Sequence, residues 1–494
     1  MSHNVSTRDL PVRLSSPRGR WVLAATVLAS GVAFLDGTVV NVALPSIGRS
    51  LHVGVSGLQW VLDGYLLTMG SLIVLGGSLG DLRGRRRIFV IGLLGFMVTS
   101  AACAFAPSAP ALVLARVAQG VAAALLVPGS LAIIAASFHP DDRPRAIGAW
   151  SGLAGVWTAL GPFLGGWLVD SVSWRLVFLI NVPLVLVAVF ITMRHVPESR
   201  DEEASGHLDV PGATALTLGL AGVVYALIDG PSRHWPALTV AGGVAGLAFL
   251  AVFFVIERRV PEPMLPLGMF RSLQFSGANA TTFAVYAALG ISTFLVVVNL
   301  QDNAGYSALQ AGASLLPMTV LMFLFSARAA ALAQRIGPRV PMTVGPIVAG
   351  IGLAMLATVD GRAGYVTGVL PGVLVLGAGM TITVAPLTAA VLAAAEERHA
   401  ALASAINNAV ARLGSLLAIA IIPSVAGMTG GARFAFARGY PTAMRIAACV
   451  AAAGGVVAWA TIRRGATVAP VPHADLSQAC HSSSLSEEVS GGGG

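Results

Sequence analysis

Long apolar runs, broken at short intervals by polar or arginine-bearing segments, make up most of the chain. A helix needs about 20 predominantly apolar residues to cross a bilayer. Runs of that kind predict helices over 21–47, 57–79, 88–106, 111–137, 146–169, 175–194, 209–228 and 237–256. Six more follow over 276–299, 311–333, 341–358, 366–394, 402–425 and 442–462. The pattern therefore predicts an all-α polytopic membrane protein with 14 transmembrane spans, and an even number puts both termini on one side. A weak internal echo divides the array. GSLGDLRGRRR (77–87) precedes the third span and ALAQRIGPRVP (331–341) the eleventh, each with small residues and then glycine and arginine. The organisation this suggests is an N-terminal segment 1–20, a six-helix half over 21–194, a linker region with two extra spans over 195–275, a second six-helix half over 276–464 and a tail over 465–494. The tail is rich in Pro, Ser and Gly without periodicity, which predicts disorder.

Composition narrows the class. Of 494 residues, 56% are hydrophobic and only 11% charged, against about 25% charged in soluble domains. The net charge of +8 does not point to nucleic acid, because the basic residues punctuate apolar runs instead of gathering on one face. All thirty of them are arginine. With the N-terminus inside, 21 arginines fall in inside segments and 7 in outside ones, with Arg116 and Arg412 within spans. That bias predicts a plasma-membrane protein with both termini cytoplasmic. Cys103, Cys449 and Cys480 give neither a disulfide framework nor a metal-binding spacing, and the first two lie in apolar runs as packing residues. No HExxH, GxSxG or GxxxxGK[ST] pattern is present, so neither an enzyme, a metal nor a nucleotide-driven pump is expected. A membrane receptor is the remaining reading from another class, but the chain has no folded soluble domain beyond its loops.

Charged residues inside membrane spans are functional candidates by default, since each costs roughly 2.5–3.5 kcal/mol on insertion scales. Asp36 stands in GVAFLDGTVVNVALPSI (31–47). Ala25, Ala29, Ala33 and Asp36 share one helical stripe, and small residues mark a packed or cavity-facing side, so Asp36 is expected to face the bundle interior. Burial penalises the ionised form of a carboxylate. Asp36 is then either a reversible proton carrier or the fixed partner of an arginine. Asp63 lies about six residues into the second span and shares a face with Gly70, Gly77 and Asp81. It is open to four readings: a second proton site, an anchor for a cationic substrate, a partner of Arg116, or a wetted interface residue. Arg116 lies near the outer end of the fourth span with Gly120 and Ala123 on nearly the same face, directed inward or snorkelling to the interface. In the second half Asn407, Asn408 and Arg412 interrupt an apolar span and are candidate substrate contacts. Asn279 and Asn299 are weaker ones, equally explained by helix–helix hydrogen bonds.

Two glycine-bearing motifs complete the set. In GSLGDLRGRRR, Gly77 and Gly80 allow close helix approach and Gly84 a tight turn. Asp81 can cap the next helix or pair with Arg85 or Arg86, and the segment also serves as a positive topology anchor. In GVWTALGPFLGG (155–166), Gly161, Pro162, Gly165 and Gly166 make a kinked helix with a smooth face. Contact along that face is expected to begin after the bulky Trp157.

These motifs resemble those of the major facilitator superfamily. Gly77, Leu79, Asp81, Gly84, Arg85 and Arg86 match its loop signature G-x-L-x-D-R-x-G-R-R, with Leu82 in place of a basic residue and Arg83 one place later. LARVAQG (114–120) looks like its R-x-x-Q-G motif, and GPFLGG (161–166) like the GPxxGG signature of its exporters. LDGTVVNVALP (35–45), WRLVFLINVP (174–183), LQDNAGYSALQAG (300–312) and NAVARLG (408–414) are similar to segments of the fourteen-helix drug:proton antiporters, the DHA2 family. The resemblance spans nearly the whole chain. It implies a major facilitator fold, a loop that braces one state through an Asp–Arg network, an arginine involved in proton movement at Arg116, and a coupling carboxylate in the first span, at Asp36. It further implies export of lipophilic or cationic drugs by a monomer exchanging small molecules for protons, with the proton motive force in place of any cofactor. A dedicated exporter of a native metabolite, such as a self-made antibiotic, siderophore or lipid, fits the same motifs.

Overall fold

The computed structural model describes residues 12–201, 208–260, 263–360, 364–394, 400–428 and 433–463. The expected tail over 465–494 lies outside the described residues. Among the described residues, fourteen helices are long and apolar enough to cross a membrane. They are α1 (Pro17–Leu51), α2 (Val55–Arg83), α3 (Arg85–Ala104), α4 (Ala109–Ser137), α5 (Arg143–Ser171), α6 (Leu176–His195) and α7 (Val210–Ser232). The others are α8 (Ala237–Arg259), α9 (Leu273–Asp302), α10 (Ala308–Ile336), α11 (Arg339–Leu356), α12 (Tyr365–Ala393), α13 (Leu402–Val425) and α14 (Ala435–Thr461).

Most helices run past the apolar stretches that announce them, because backbone hydrogen bonding continues into polar ends while hydropathy does not. Helix α1 starts at Pro17, inside the segment assigned to the N-terminus. Pro17 occupies a position where a missing N–H costs nothing, and the Ser16 hydroxyl accepts from the Gly19 N–H at 3.0 Å. Between α2 and α3 a single residue, Gly84, turns the chain with φ +105°. Gly337, followed by Pro338, turns the chain between α10 and α11 with φ +82°. Both values lie where a Cβ is strained, so the echo between the two arginine-bearing segments is an echo of backbone geometry.

The packing repeats as well. Helix α1 rests on α4, α5 and α6; α2 and α3 rest on α4; α3 rests on α6. The same six pairings recur as α9 on α12, α13 and α14, α10 and α11 on α12, and α11 on α14. Contacts between α1–α6 and α9–α14 are also reciprocal: α2 meets α13, and α5 meets α10. Helices α7 and α8 form a hairpin on the outside of the α2–α13 seam. The Trp60 indole donates to Asp229 of α7 at 2.8 Å, and the Ser424 hydroxyl of α13 donates to the Leu227 carbonyl at 3.3 Å. The two extra helices thus brace one side of the contact between halves.

The contact is concentrated toward one end of the bundle and reaches the middle of α2 and α13, where Gly70 meets Arg412. On the face away from the termini, Val42, Leu44 and Phe178 share one continuous core with Phe294, Leu295, Ala308 and Met444. Toward the terminus-bearing face that core splits in two. Val22, Phe89, Phe138 and Ile191 form one cluster, and Phe275, Met342, Leu387 and Ile462 another. Among the described residues, Gly148, Gly152 and Gly155 on α5 have nothing within 4 Å of where a Cβ would stand, and Phe323 and Leu324 on α10 are exposed. The halves are sealed at one face and parted at the other.

Candidate functional site

Five helices converge on Asp36. The alanine stripe places it: Ala25, Ala29 and Ala33 are all buried, so α1 sits deep in its half-bundle and Asp36 is fully enclosed. Arg116 Nη1 donates to Asp36 Oδ2 at 2.5 Å, and Gln119 Nε2 and Asn181 Nδ2 donate to Oδ1 at 3.0 and 3.1 Å. Both amides also reach the Ser100 hydroxyl, at 2.8 and 3.3 Å. Arg116 itself is only 1% exposed, which excludes snorkelling. Its Nε donates to the Val61 carbonyl at 3.1 Å, its Nη1 also donates to Gln119 Oε1 at 2.7 Å, and its guanidinium lies 4.3 Å from the Tyr65 ring centroid. A buried ion pair repays its desolvation only when the remaining lone pairs and protons are also satisfied. Gln119, Asn181, Ser100 and the Val61 carbonyl meet that condition here.

The sequence reading singled out Asp36 and Arg116 but not Gln119, Asn181, Ser100 or Tyr65. Gln119 and Asn181 lie inside the quoted motifs, and their signal was the same: a polar side chain in an apolar run. Asp63 is not the partner of Arg116. It is fully buried on α2, and among the described residues neither carboxylate oxygen has a hydrogen-bond partner. Nor is it a wetted interface residue. Its neighbours at helical spacing, Gln59 and Gly70, both face α13: Gln59 Nε2 donates to the Ile419 carbonyl, and a Cβ on Gly70 would stand 3.2 Å from Arg412 Cβ. Asp63 therefore lies on the α2 face turned to the seam between halves.

In the second half, Asn407 accepts from the Thr282 hydroxyl at 2.7 Å, which ties α13 to α9. Asn408 donates back to the Ser404 carbonyl of its own helix, and Asn279 likewise to Phe275. Asn299 donates to the Val359 carbonyl at 3.1 Å. Arg412 is half-buried, and among the described residues no hydrogen bond or ion pair engages it.

The glycine motifs differ in part from expectation. Gly161 packs against Thr38 and the Leu35 carbonyl, and Gly165 against Val39, so both bring α5 onto α1. Gly166 instead meets the backbone of Ala308 and Leu309, across the seam between halves. Contact does not begin after Trp157. The missing side chain of Gly31 makes room for its indole, and α1 supplies the gap where α5 supplies the bulk. At the turn after α2, Asp81 Oδ1 accepts from Arg85 Nε at 2.7 Å. The cap of α3 comes from elsewhere: Glu198, beyond α6, accepts from the backbone N–H of Arg86 and Arg87 at 3.0 and 3.1 Å. Arg86 Nη1 also donates to the Val196 carbonyl at 3.2 Å. Gly77 stands 3.4 Å from Pro128 by the same Cβ measure, but among the described residues a Cβ on Gly80 would meet nothing within 4 Å. Cys103 is buried and Cys449 exposed, so Cys449 is not a packing residue.

The sequence profile of the Major Facilitator Superfamily matches residues 26–419. The chain belongs to that superfamily. It is 36% identical over 405 residues to the multidrug resistance protein Stp of Mycobacterium tuberculosis, covering 82% of this chain and 75% of that one. It is 35% identical over 452 residues to the methylenomycin A resistance protein of Streptomyces coelicolor (89% and 92% covered). It is 34% identical over 413 residues to the tetracenomycin C resistance and export protein of Streptomyces glaucescens (83% and 76%). Among solved structures, a D-xylose-proton symporter superposes with TM-score 0.65 at 15% identity, over 90% of this chain and 98% of that one. A peptide transporter POT in complex with sulfate gives 0.65 at 16%, over 92% and 96%. At such identities these two speak for the fold alone. The fourteen spans and the resistance-protein relatives fit the fourteen-helix branch of the superfamily that the motifs resemble, and the protein is a multi-pass membrane transporter.

Proposed function

We propose that this superfamily member is a proton-driven exporter of drug-like or antibiotic small molecules, working as a monomer by alternating access. One observation carries the reading: a fully enclosed acid, Asp36, held by Arg116, in a half-bundle whose partner half has parted from it at one face only. The names of the relatives support the substrate class. The arginine bias supports cytoplasmic termini in a plasma membrane, so the parted face opens to the cytoplasm and this state is inward-facing. No cofactor enters the scheme; the energy comes from the proton motive force.

In the outward-facing state Asp36 takes a proton. A neutral acid no longer holds the guanidinium of Arg116 by charge, and the network of Gln119, Asn181 and Ser100 rearranges while substrate leaves. Facing inward, the acid releases its proton and re-forms the pair, and substrate enters from the cytoplasm or inner leaflet. One charge moved across 100 mV supplies about 2.3 kcal/mol, so proton entry can drive export. Asp63 is a second proton-carrying acid at the seam, and Asn407, Asn408 and Arg412 line the substrate path. Gly77, Asp81, Gly84, Arg85 and Arg86 form the conformational loop, held at its far side by Glu198.

The test is Asp36→Asn in proteoliposomes with an imposed pH gradient. The variant inserts and folds but loses proton-driven efflux. Full efflux from it would refute the assignment. A dedicated exporter of one native compound is favoured by a specific observation: several relatives carry the name of a single antibiotic in theirs. Transport across a panel of unrelated drugs separates the two readings, since a dedicated exporter moves one member and its close analogues.

A further inference from the structure

The fixed charge that the transport site presents to a ligand is not the carboxylate. Asp36 and Arg116 neutralise each other and are shut away, at 0% and 1% exposure. Asp63 is equally enclosed. Arg412 remains: half-buried, and engaged by no hydrogen bond or ion pair among the described residues. Its direction follows from the packing of α13. Gly414 of α13 packs on the Phe283 backbone of α9, and Leu413 and Leu416 pack with Leu66 and Leu67 of α2. Those two contacts occupy two sides of the helix. Asn408 and Arg412, one turn apart, flank the α2 contact, and a Cβ on Gly70 of α2 would stand 3.2 Å from Arg412 Cβ, so Arg412 sits at the seam between the halves. An unpaired guanidinium held partly out of water between two bundles is expensive in free energy. Five planar donors in a fork suit it to carboxylate-like oxygens.

We propose that Arg412 is the anion-recognition point of the transport site, and that the preferred cargo carries a carboxylate or comparable anionic oxygen. The guanidinium donates two parallel hydrogen bonds to the anionic group. Asn408 supplies an amide one turn away. The assignment rests on the reading of the seam between the halves as a substrate path and replaces a cationic drug by an acidic one as its best ligand. An anionic lipid headgroup offers the same chemistry, so the two sources are separated by experiment.

The full-length protein is reconstituted in phosphatidylcholine liposomes without a pH gradient. Binding of three coumarins is then read by fluorescence anisotropy: coumarin-3-carboxylate, its carboxamide and 3-(aminomethyl)coumarin. Because no proton gradient is used, failure of proton coupling leaves the result intact, and the reverse also holds. The carboxylate is expected to bind about tenfold or more tightly than the carboxamide, as a bidentate charged contact should. R412Q is expected to bring the carboxylate down to the carboxamide's affinity, and R412K to restore part of the difference as a point charge without the fork. Equal affinities in the wild type, including undetectable binding of the carboxylate, overturn the proposal. So does preference for the amine, or a carboxylate preference that survives in R412Q. Adding phosphatidylglycerol supplies the lipid arm: if it abolishes the carboxylate preference, Arg412 belongs to a headgroup and the proposal fails.

Discussion

Asp170 provides the sharpest test of how the sealed face is held. The first turn of α10 carries N–H groups with no partner in their own helix. A capping box satisfies part of that demand: Ser307 Oγ accepts from the Gln310 N–H, and the Gln310 side chain from the Ser307 N–H. The N–H groups of Ala308 and Leu309 are met by Asp170 of α5, at 3.0 and 2.8 Å. One half-bundle therefore caps a helix of the other, and only while the face is sealed. Losing a cap of this kind costs about 1 kcal/mol, within a range of roughly 0.5–2. Asp170 is exposed, so water replaces part of what is lost, and about 1 kcal/mol is the appropriate figure. Asp170→Ala then shifts the equilibrium about fivefold toward the state open at that face, and Asp170→Asn shifts it less. Spin labels at the exposed Val172 and Thr358, one in each half, report the change as growth of the longer-distance population in pulsed dipolar spectroscopy. A distribution indistinguishable from that of the unsubstituted protein would refute the claim that this cap helps hold the seal.

Adjacent glycines should behave differently because their neighbours belong to different bodies. Gly166→Ala presses on the backbone of Ala308 and Leu309 across the seam and should populate the opposite state. Gly165→Ala presses on Val39 within one half and should instead lower the melting temperature; the same labels and a thermal scan distinguish them. Arg116→Leu leaves Asp36 enclosed without its counter-charge and should cost about 3–5 kcal/mol of stability. Combining it with Asp36→Asn should recover much of that loss, measured by unfolding in detergent. Glu198→Gln removes the charged cap of α3. Since Glu198 is exposed, the expected loss is no more than about 1 kcal/mol, read as faster hydrogen exchange at Arg86 and Arg87.

Hydropathy made the spans legible, and the polar interruptions made Asp36, Arg116 and Arg412 stand out, because lipid leaves so few reasons to carry a charge. It was less informative about partners. Asp63 and Asp36 look alike as lone acids in adjacent spans, yet only one is paired with Arg116. The pairing depends on the angle at which α4 crosses α1 and α2, and no residue spacing encodes that angle. Gly165 and Gly166 are neighbours in one motif, but one faces α1 and the other faces the opposite half. Their difference of one residue, about 100° around the helix, acquires meaning only from what surrounds α5.

By itself, then, the sequence determined that the chain lives in a membrane, how often it crosses, and which side chains are too polar to be there without purpose. Those properties follow from each residue's own transfer from water to hydrocarbon and need no partner to be evaluated. Only the tertiary structure decided that Asp36 is gripped by Arg116, Gln119 and Asn181, that Arg412 is left unpaired among the described residues, and that the seal lies at one face. Those properties are relations between helices far apart in the chain, and their energies depend on distances that exist only once the bundle is packed.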